Sequence, residues 1–445
     1  MKNKVEELLS HCKDHSKFFE QAIPLIASEN ITSIQCREAT NCDFEHRYAE
    51  GWVGQRLYAG CEYMDKVESE TMRLARQYFN CQFADVRPIS GVVANLIVYT
   101  ALTEPGDTVC AMSVMSGGHI SHAPKILKSG KFLNGTAGGV HGLNVEYLAV
   151  DHDEMNINVE KSAEVIRQHK PKLLILGGSV LLFPHPVKEL SEVAREVGAH
   201  VMYDGAHVLG LIGSGYFQDP LKEGAEVLTG STHKTLPGPQ HGVVLSNYAE
   251  DTEFVDRLKI SAFPAMLSNH HLHNVAGLGV TLCEMIEFGK DYHQQVIANA
   301  KALAEALYNL DFDVVCAEKG FTESHQVLVD ISKFKDHIGL GGVIEKRLEE
   351  SHIVLNRNSL PWDIKFKRHH DNPGGLRIGT SEVTRLGMKE GEMEQIAQLM
   401  KKVIVDKEAP SKIKEGVWEL KKDFLDVQYA FPSKVPGYEY ISFER

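Results

Sequence analysis

The residues most suited to chemistry lie in the run Val227-Leu-Thr-Gly-Ser-Thr-His-Lys-Thr-Leu-Pro-Gly-Pro-Gln-His-Gly242. Two apolar residues open it as a short buried strand. Thr229, Gly230, Ser231 and Thr232 follow, then His233 and Lys234, and Pro237, Gly238, Pro239 and Gly242 forbid a helix beyond them. A lysine at the end of a buried strand is costly unless it has a task. Desolvation lowers an amine's pKa, so the task that suits Lys234 is attack on an aldehyde to form an imine. Taken alone, Lys234 reads more readily as a solvated loop lysine. The run thirty residues upstream changes the balance. Val201-Met-Tyr203 reads as a strand ending at Asp204, with His207 three residues on. If the two strands are parallel, the carboxylate and the lysine converge on one pocket. That pair is what pyridoxal phosphate requires: an amine for its aldehyde and a carboxylate that keeps its ring nitrogen protonated, so the ring acts as an electron sink.

The elements that must position these groups follow from hydrophobic patterning. Thr108-Val-Cys-Ala-Met112, Val145-Glu-Tyr-Leu-Ala-Val150 and Lys172-Leu-Leu-Ile-Leu-Gly-Gly178 read as strands, the last apolar without alternation, as a parallel strand buried on both faces is. Helices are predicted over 65–78, 92–102 and 159–169. Strand–helix alternation from about 80 to 245 gives a mostly parallel, helix-covered sheet, whose ligands sit at the carboxyl ends of its strands. Ser90, His119, Ser179, Asp204 and Lys234 all fall after predicted strands or at helix starts. Ser90-Gly91 opens an apolar helix; such a pair is most often a cap, but its free N–H groups also suit an anion.

These motifs resemble the serine hydroxymethyltransferase family. The family's Ser/Thr-Thr-His-Lys-Thr-Leu-x-Gly-Pro run stands at Ser231–Pro239 and its Asp-x-Ala-His-Val-x-Gly-Leu run at Asp204–Leu211. Its Tyr-Ala-Glu-Gly-x-x-Gly-x-Arg-x-Tyr-x-Gly-Cys-Glu-Tyr run stands at 48–63, and the likeness covers most of the chain. It implies the α/β fold type I of pyridoxal-phosphate-dependent transferases. The domains would be an N-terminal arm at 1–30, a large cofactor-binding domain at 31–290 with a mostly parallel central sheet, and a smaller C-terminal α/β domain at 291–445. For the cofactor it implies Lys234, Asp204, His207, His119 against the ring, Ser231, His233, Tyr48, and a phosphate turn at Ser90 and Gly91. For the substrate it implies Ser28, Tyr58 and Arg377, the arginine clamping a carboxylate with its planar fork. Glu50 would handle protons at the hydroxymethyl group, with His207 a second candidate, and Glu50 and Asn358 would lie near tetrahydrofolate. The implied reaction breaks the Cα–Cβ bond of a β-hydroxy amino acid, serine, in a retro-aldol step that leaves a glycine carbanion and passes one carbon to tetrahydrofolate. Partners would be the amino acid and a second copy, as a homodimer or dimer of dimers sharing active sites.

Several positions depart from the pattern. Leu57 replaces a tyrosine that helps hold folate, Val92 a phosphate-binding serine, and Ser179-Val180 a phenylalanine and the serine that contacts the ring hydroxyl. Gln240-His241 interrupts Gly-Pro-Arg-Gly-Gly, and Ala265 to His271 replaces a glycine-rich segment. Pro239-Gln240, Ser268-Asn269-x-His271 and Phe321-Thr-x-Ser-His-Gln-Val327 resemble the threonine transaldolase branch. The second reading is therefore a folate-independent threonine aldolase or transaldolase that joins glycine to an aldehyde. A third, a catalytically dead relative kept for binding, is weakened by the retained lysine, aspartate and arginine.

Bulk properties narrow the field. A chain of 445 residues is ample for two or three structural units. A net charge of −13 speaks against nucleic acid or an acidic membrane as main partner. The start carries no apolar core of signal-peptide length, and no run approaches a membrane span. The 8 cysteines form no Cys-x-x-Cys pair and suit a reducing cytoplasm. Among 22 histidines, His270-His271-Leu-His273 has no accompanying metal-ligand motif, so no metal is expected.

Overall fold

The protein is described by a computed structural model covering residues 1–128 and 131–442. The chain divides into two compact units, one of residues 35–293 and one of 1–34 with 294–445.

The first unit is built on a seven-stranded sheet. Its strands are β1 (Phe83–Asp85), β2 (Thr108–Ala111), β3 (Asn144–Tyr147), β4 (Leu173–Gly177), β5 (His200–Asp204), β6 (Val227–Ser231) and β7 (Gly242–Ser246). Their order across the sheet is β1-β7-β6-β5-β4-β2-β3. Neighbours from β6 to β3 are parallel, and β7 runs antiparallel to both β6 and β1. The continuous apolar run of β4 has its reason in burial: all five residues are buried, so neither face demands polar residues. Truncating such a side chain, as in Leu173→Ala, costs about 2–5 kcal/mol. In the β5–β6 register Asp204 lies opposite Thr229, which puts the end of β5 beside the strand that leads to Lys234.

Helix α1 (Gly91–Leu102) is apolar nearly all round and buries Ala94, Asn95, Ile97, Val98 and Tyr99 against the sheet. Its first turn is fixed by Ser90, whose Oγ accepts from Val93 N–H at 3.2 Å. The helix Glu62–Phe79 takes in the last two residues of the Tyr48–Tyr63 stretch and outruns the predicted 65–78 by three residues at its start and one at its end. The unit closes in the first part of the long helix Leu272–Asn309.

The second unit carries a four-stranded antiparallel sheet of β8 (Asp313–Val314), β9 (Gln326–Asp330), β10 (Asn356–Asn358) and β11 (Gly375–Gly379), ordered β8-β9-β11-β10. Its core joins Val327 and Val329 of β9 and Leu376 and Ile378 of β11 to Leu303, Ile344, Ile396 and Met400 from helices. The N-terminal residues belong here, because Ile23–Pro24 pairs parallel with Ile353–Val354. No helix of the described residues is long and apolar enough to cross a membrane.

Candidate active site

The site in the first unit is built at the strand ends. Asp204 closes β5 and is 2 % exposed. Its Oδ2 accepts from Asn95 Nδ2 at 2.8 Å and pairs with His122 Nε2 at 2.9 Å; Oδ1 accepts from Ala206 N–H at 3.0 Å. Burial pushes the carboxyl up, but the hydrogen bond and charge of His122, the charge of His119 and the Asn95 amide outweigh it. Asp204 is held well below the usual carboxylate range. Asn95 is itself oriented: its Oδ1 accepts from Thr229 Oγ1 at 2.7 Å, and its Nδ2 also donates to Ser121 Oγ at 3.0 Å. Gly177 comes so close that a Cβ there would lie 2.1 Å from Asp204 O, and its φ of +81° disfavours any side chain.

His119 lies half-buried at the start of the turn Ile120–His122. Its Nδ1 accepts from Ser121 N–H at 3.1 Å and lies 2.7 Å from Ser121 Oγ. His119, His122 and Asp204 offer ligand atoms within 4.8 Å of one another, a metal-like grouping already committed to the Asp204 network.

Lys234 follows β6 and is 8 % exposed. Beside it His233 is half-buried, and its Nδ1 has no hydrogen-bond partner among the described residues. Burial, reinforced by the charge of Lys234, pulls this ring down to about 4. Thr235 Oγ1 donates to His207 O at 2.9 Å and accepts from Gly210 N–H at 3.1 Å, tying the lysine run to the segment after Asp204. His207 is buried.

Pyridoxal phosphate fits these residues. A Cβ on Gly91 would lie 2.3 Å from Ser231 Oγ, and one on Gly242 would lie 2.4 Å from Ser90 O. Three segments thus converge on the start of α1 without room for side chains. The amides of Gly91 and Val92 have no helical acceptor there, as suits a phosphate. Val92 is 37 % exposed, so the residue in the serine's place leaves the turn open. The unpartnered His233 Nδ1 lies one residue from Lys234. Ser179 is held through its N–H to Gly117 O at 2.8 Å.

Glu50 sits half-buried on a largely exposed strap. Tyr48 and Tyr58 are 49 % and 47 % exposed, with ring centroids 5.2 Å apart. Glu50 Oε1 accepts from Ser268 Oγ at 2.5 Å. Trp52 anchors the strap between the Arg87 guanidinium and the Lys259 ammonium, 4.6 Å and 4.7 Å from its ring.

In the second unit Arg377 is 9 % exposed on β11, opposite Leu328 and Asn356, and its Nε lies 3.4 Å from Asn356 Oδ1. Burial pulls its guanidinium down to about 10. Ser28 is half-buried in a turn beside the end of β11: a Cβ on Gly379 would lie 2.4 Å from Ala27 Cα, and His325 Nε2 pairs with Ala27 O at 3.0 Å. Asn358 is on β10, its Nδ2 donating to Ser359 O at 2.7 Å.

Sequence reasoning missed Asn95, His122 and Thr229, which hold Asp204, and Ser268 and Asn269, which hold the strap. His122 carried a signal, three residues past His119 in Ser-Gly-Gly-His-Ile-Ser-His. Asn95 carried one too, as the one amide in a helix otherwise apolar but for Tyr99 and Thr100.

Residues 1–400 match the family described as serine hydroxymethyltransferase. The serine hydroxymethyltransferase of Korarchaeum cryptofilum is 56% identical over 427 residues, which is 96% of either chain. That of Methanocaldococcus jannaschii is 50% identical over 431 residues, 97% of this chain and 96% of its own. That of Nitrosopumilus maritimus is 48% identical over 445 residues, 99% and 98% of the two chains. The transaldolase-like positions find no support in these comparisons. The enzyme class is settled with the fold: a pyridoxal-phosphate-dependent transferase of fold type I, with tetrahydrofolate as the family's co-substrate. The chain belongs to the serine hydroxymethyltransferase family.

Proposed function

We propose that this chain interconverts serine and glycine with its chemistry divided between a fixed charge at Asp204 and a proton carrier at Glu50. The observation that carries the reading is Asp204 itself, buried, held ionised by His122 and Asn95, and placed on the strand beside the one leading to Lys234. Lys234 would hold pyridoxal phosphate by its aldehyde, with Ser90, Gly91, Ser231 and His233 about the phosphate and His119 beside the ring. Once bound, the cofactor supplies an electron sink for the pair released from the Cα–Cβ bond. Asp204 keeps a full negative charge in a dry place, where it costs no reorganisation during the reaction. Arg377 grips the substrate carboxylate through two parallel N–H donors, and Ser28 adds a contact. Glu50 takes and returns the proton on the β-hydroxyl oxygen of serine. Tyr58 contacts substrate, Asn358 lies on the tetrahydrofolate side, and His207 orients Asp204 or shares the proton work.

The protein would act in the cytoplasm as a homodimer or dimer of dimers. In support, Leu57, Tyr58 and Tyr63 are 69 %, 47 % and 68 % exposed in the single chain, a concentration of apolar surface that a second copy would cover. Sedimentation showing only monomer would sink that part.

Glycine release from L-serine and from L-threonine by the holoenzyme, with and without tetrahydrofolate, tests the reaction. Folate-dependent serine cleavage is expected, together with loss of cofactor absorbance and of activity in Lys234→Ala. Folate-indifferent cleavage of threonine with serine inert would overturn it.

A further inference from the structure

Residues 268–270 lie in the segment that departs most from the family's glycine-rich pattern, and their side chains hold the strap that carries Glu50, Ser268 and Asn269 directly and His270 through Glu68 and Arg56. Asn269 does so on both sides of Tyr48. Its Oδ1 accepts from Ala49 N–H at 3.0 Å, and its Nδ2 donates to Arg47 O at 2.8 Å. A side-chain amide here stands in for a neighbouring strand. His270 works from below: its Nε2 pairs with Glu68 Oε2 at 2.6 Å, and Glu68 Oε2 lies 2.9 Å from Arg56 Nη2. These side chains are nearly closed to solvent, with exposures of 3 %, 0 % and 4 % for His270, Glu68 and Arg56. Arg56 Nη1 in turn donates to Ala49 O at 2.7 Å and Gly51 O at 2.9 Å. The residues on either side of Glu50 are therefore held, Ala49 at both its N–H and its carbonyl and Gly51 at its carbonyl, and Ala49 is fully buried. One freedom remains, the rotamer of the Glu50 side chain, and Ser268 Oγ at 2.5 Å from Oε1 removes it.

We propose that Ser268, Asn269 and His270 form a positioning device for Glu50, in which Ser268 aims the carboxyl and Asn269 fixes the backbone that carries it. The inference rests on the reading of Glu50 as the proton carrier. Glycines could offer this strap no side-chain hydrogen bond, so the Ser-Asn-His sequence supplies a function of its own. A carboxyl aimed in advance loses less freedom on reaching the geometry for proton transfer, which raises kcat and leaves substrate binding alone.

Steady-state serine cleavage by the holoenzyme with tetrahydrofolate tests the aiming. Ser268→Ala should lower kcat by about tenfold, the scale of one hydrogen bond to a charged group, with KM for serine nearly unchanged. Ser268→Thr, which keeps the hydroxyl, should restore the rate. In a Glu50→Gln background, Ser268→Ala should cost nothing further. Asn269→Ala should increase amide hydrogen exchange in a peptide spanning 47–51, measured on protein stripped of cofactor. An unchanged kcat in Ser268→Ala, a loss carried by KM, a loss that multiplies with that of Glu50→Gln, or unchanged exchange in Asn269→Ala would overturn the device. Full activity in Glu50→Gln would instead overturn the proton-carrier reading beneath it, whatever the serine variant does.

Discussion

The floor around Asp204 and the strap around Glu50 each hold one carboxylate, by opposite means. Asp204 is 2 % exposed and takes donors from a helix, a loop and its own turn, so its charge is set before any ligand arrives. Glu50 is half-buried and takes a hydroxyl from an exposed serine, while the buried ion pairs lie one layer away and hold only its backbone. A group that must stay ionised gains from burial with several partners. One that receives and returns a proton, the role proposed for Glu50, needs a fixed position and an open face.

The largest effect expected from breaking this division is in Asp204→Asn. With the permanent charge gone, kcat for serine cleavage should fall by about 10²–10³-fold, the usual scale for loss of a preorganised electrostatic group. The same variant reports on stability. A carboxyl held below its ordinary value stabilises the fold above the unfolded pKa of about 3.9, and the contribution is lost as pH falls further toward the folded pKa. The stability advantage of the native protein over Asp204→Asn should therefore shrink on the acid side of about pH 4 and stay constant above it. Denaturant melts at several pH values would show this, and a constant difference down to pH 2 would contradict it.

Next in size is Glu68→Gln. It leaves the Arg56 guanidinium and the His270 ring buried beside a neutral amide, and should cost about 3–5 kcal/mol in denaturant unfolding, as removal of one partner from a buried pair does. Cofactor absorbance should survive at temperatures where the variant still folds, because the floor does not use this cluster. A simultaneous loss of cofactor would join the two regions that the comparison separates.

Asn95→Ala sharpens the floor side. It withdraws one donor from Asp204 and strands Thr229 Oγ1, which should cost about 1–3 kcal/mol. The smallest effect belongs to Trp52→Leu, which removes the two cation–π contacts at the foot of the strap and should cost about 0.5–2 kcal/mol. Its kinetic loss should appear in kcat with holoenzyme absorbance intact.

The sequence carried the frame of the floor because β4, β5 and β6 are short, buried throughout but for His200, and bounded by glycine or polar residues, so period and punctuation agree. Helix α1 was equally legible, its apolar run opening on Ser90, which does cap it. The strap was not, since residues 46–61 follow no period and Trp52 is anchored by Arg87 and Lys259, both distant in sequence. Nor was the meaning of 265–271: as sequence it reads as lost glycines and a likeness to another branch, whereas in the fold Ser268 and Asn269 bond to residues 218 and 220 or 222 positions away.

By itself, then, the amino-acid order determined the parallel-sheet class, the convergence of Asp204 and Lys234 on neighbouring strand ends, and the residue types available for cofactor and substrate. Those follow from local rules, since hydrophobic period selects the strand and strand ends present their polar residues to one edge. Only the tertiary structure decided which polar side chains hold the working carboxylates. His122 and Asn95 reach Asp204, and Ser268 reaches Glu50, from elements far along the chain, and hydrogen bonds of 2.5–2.9 Å between such residues depend on how those elements pack.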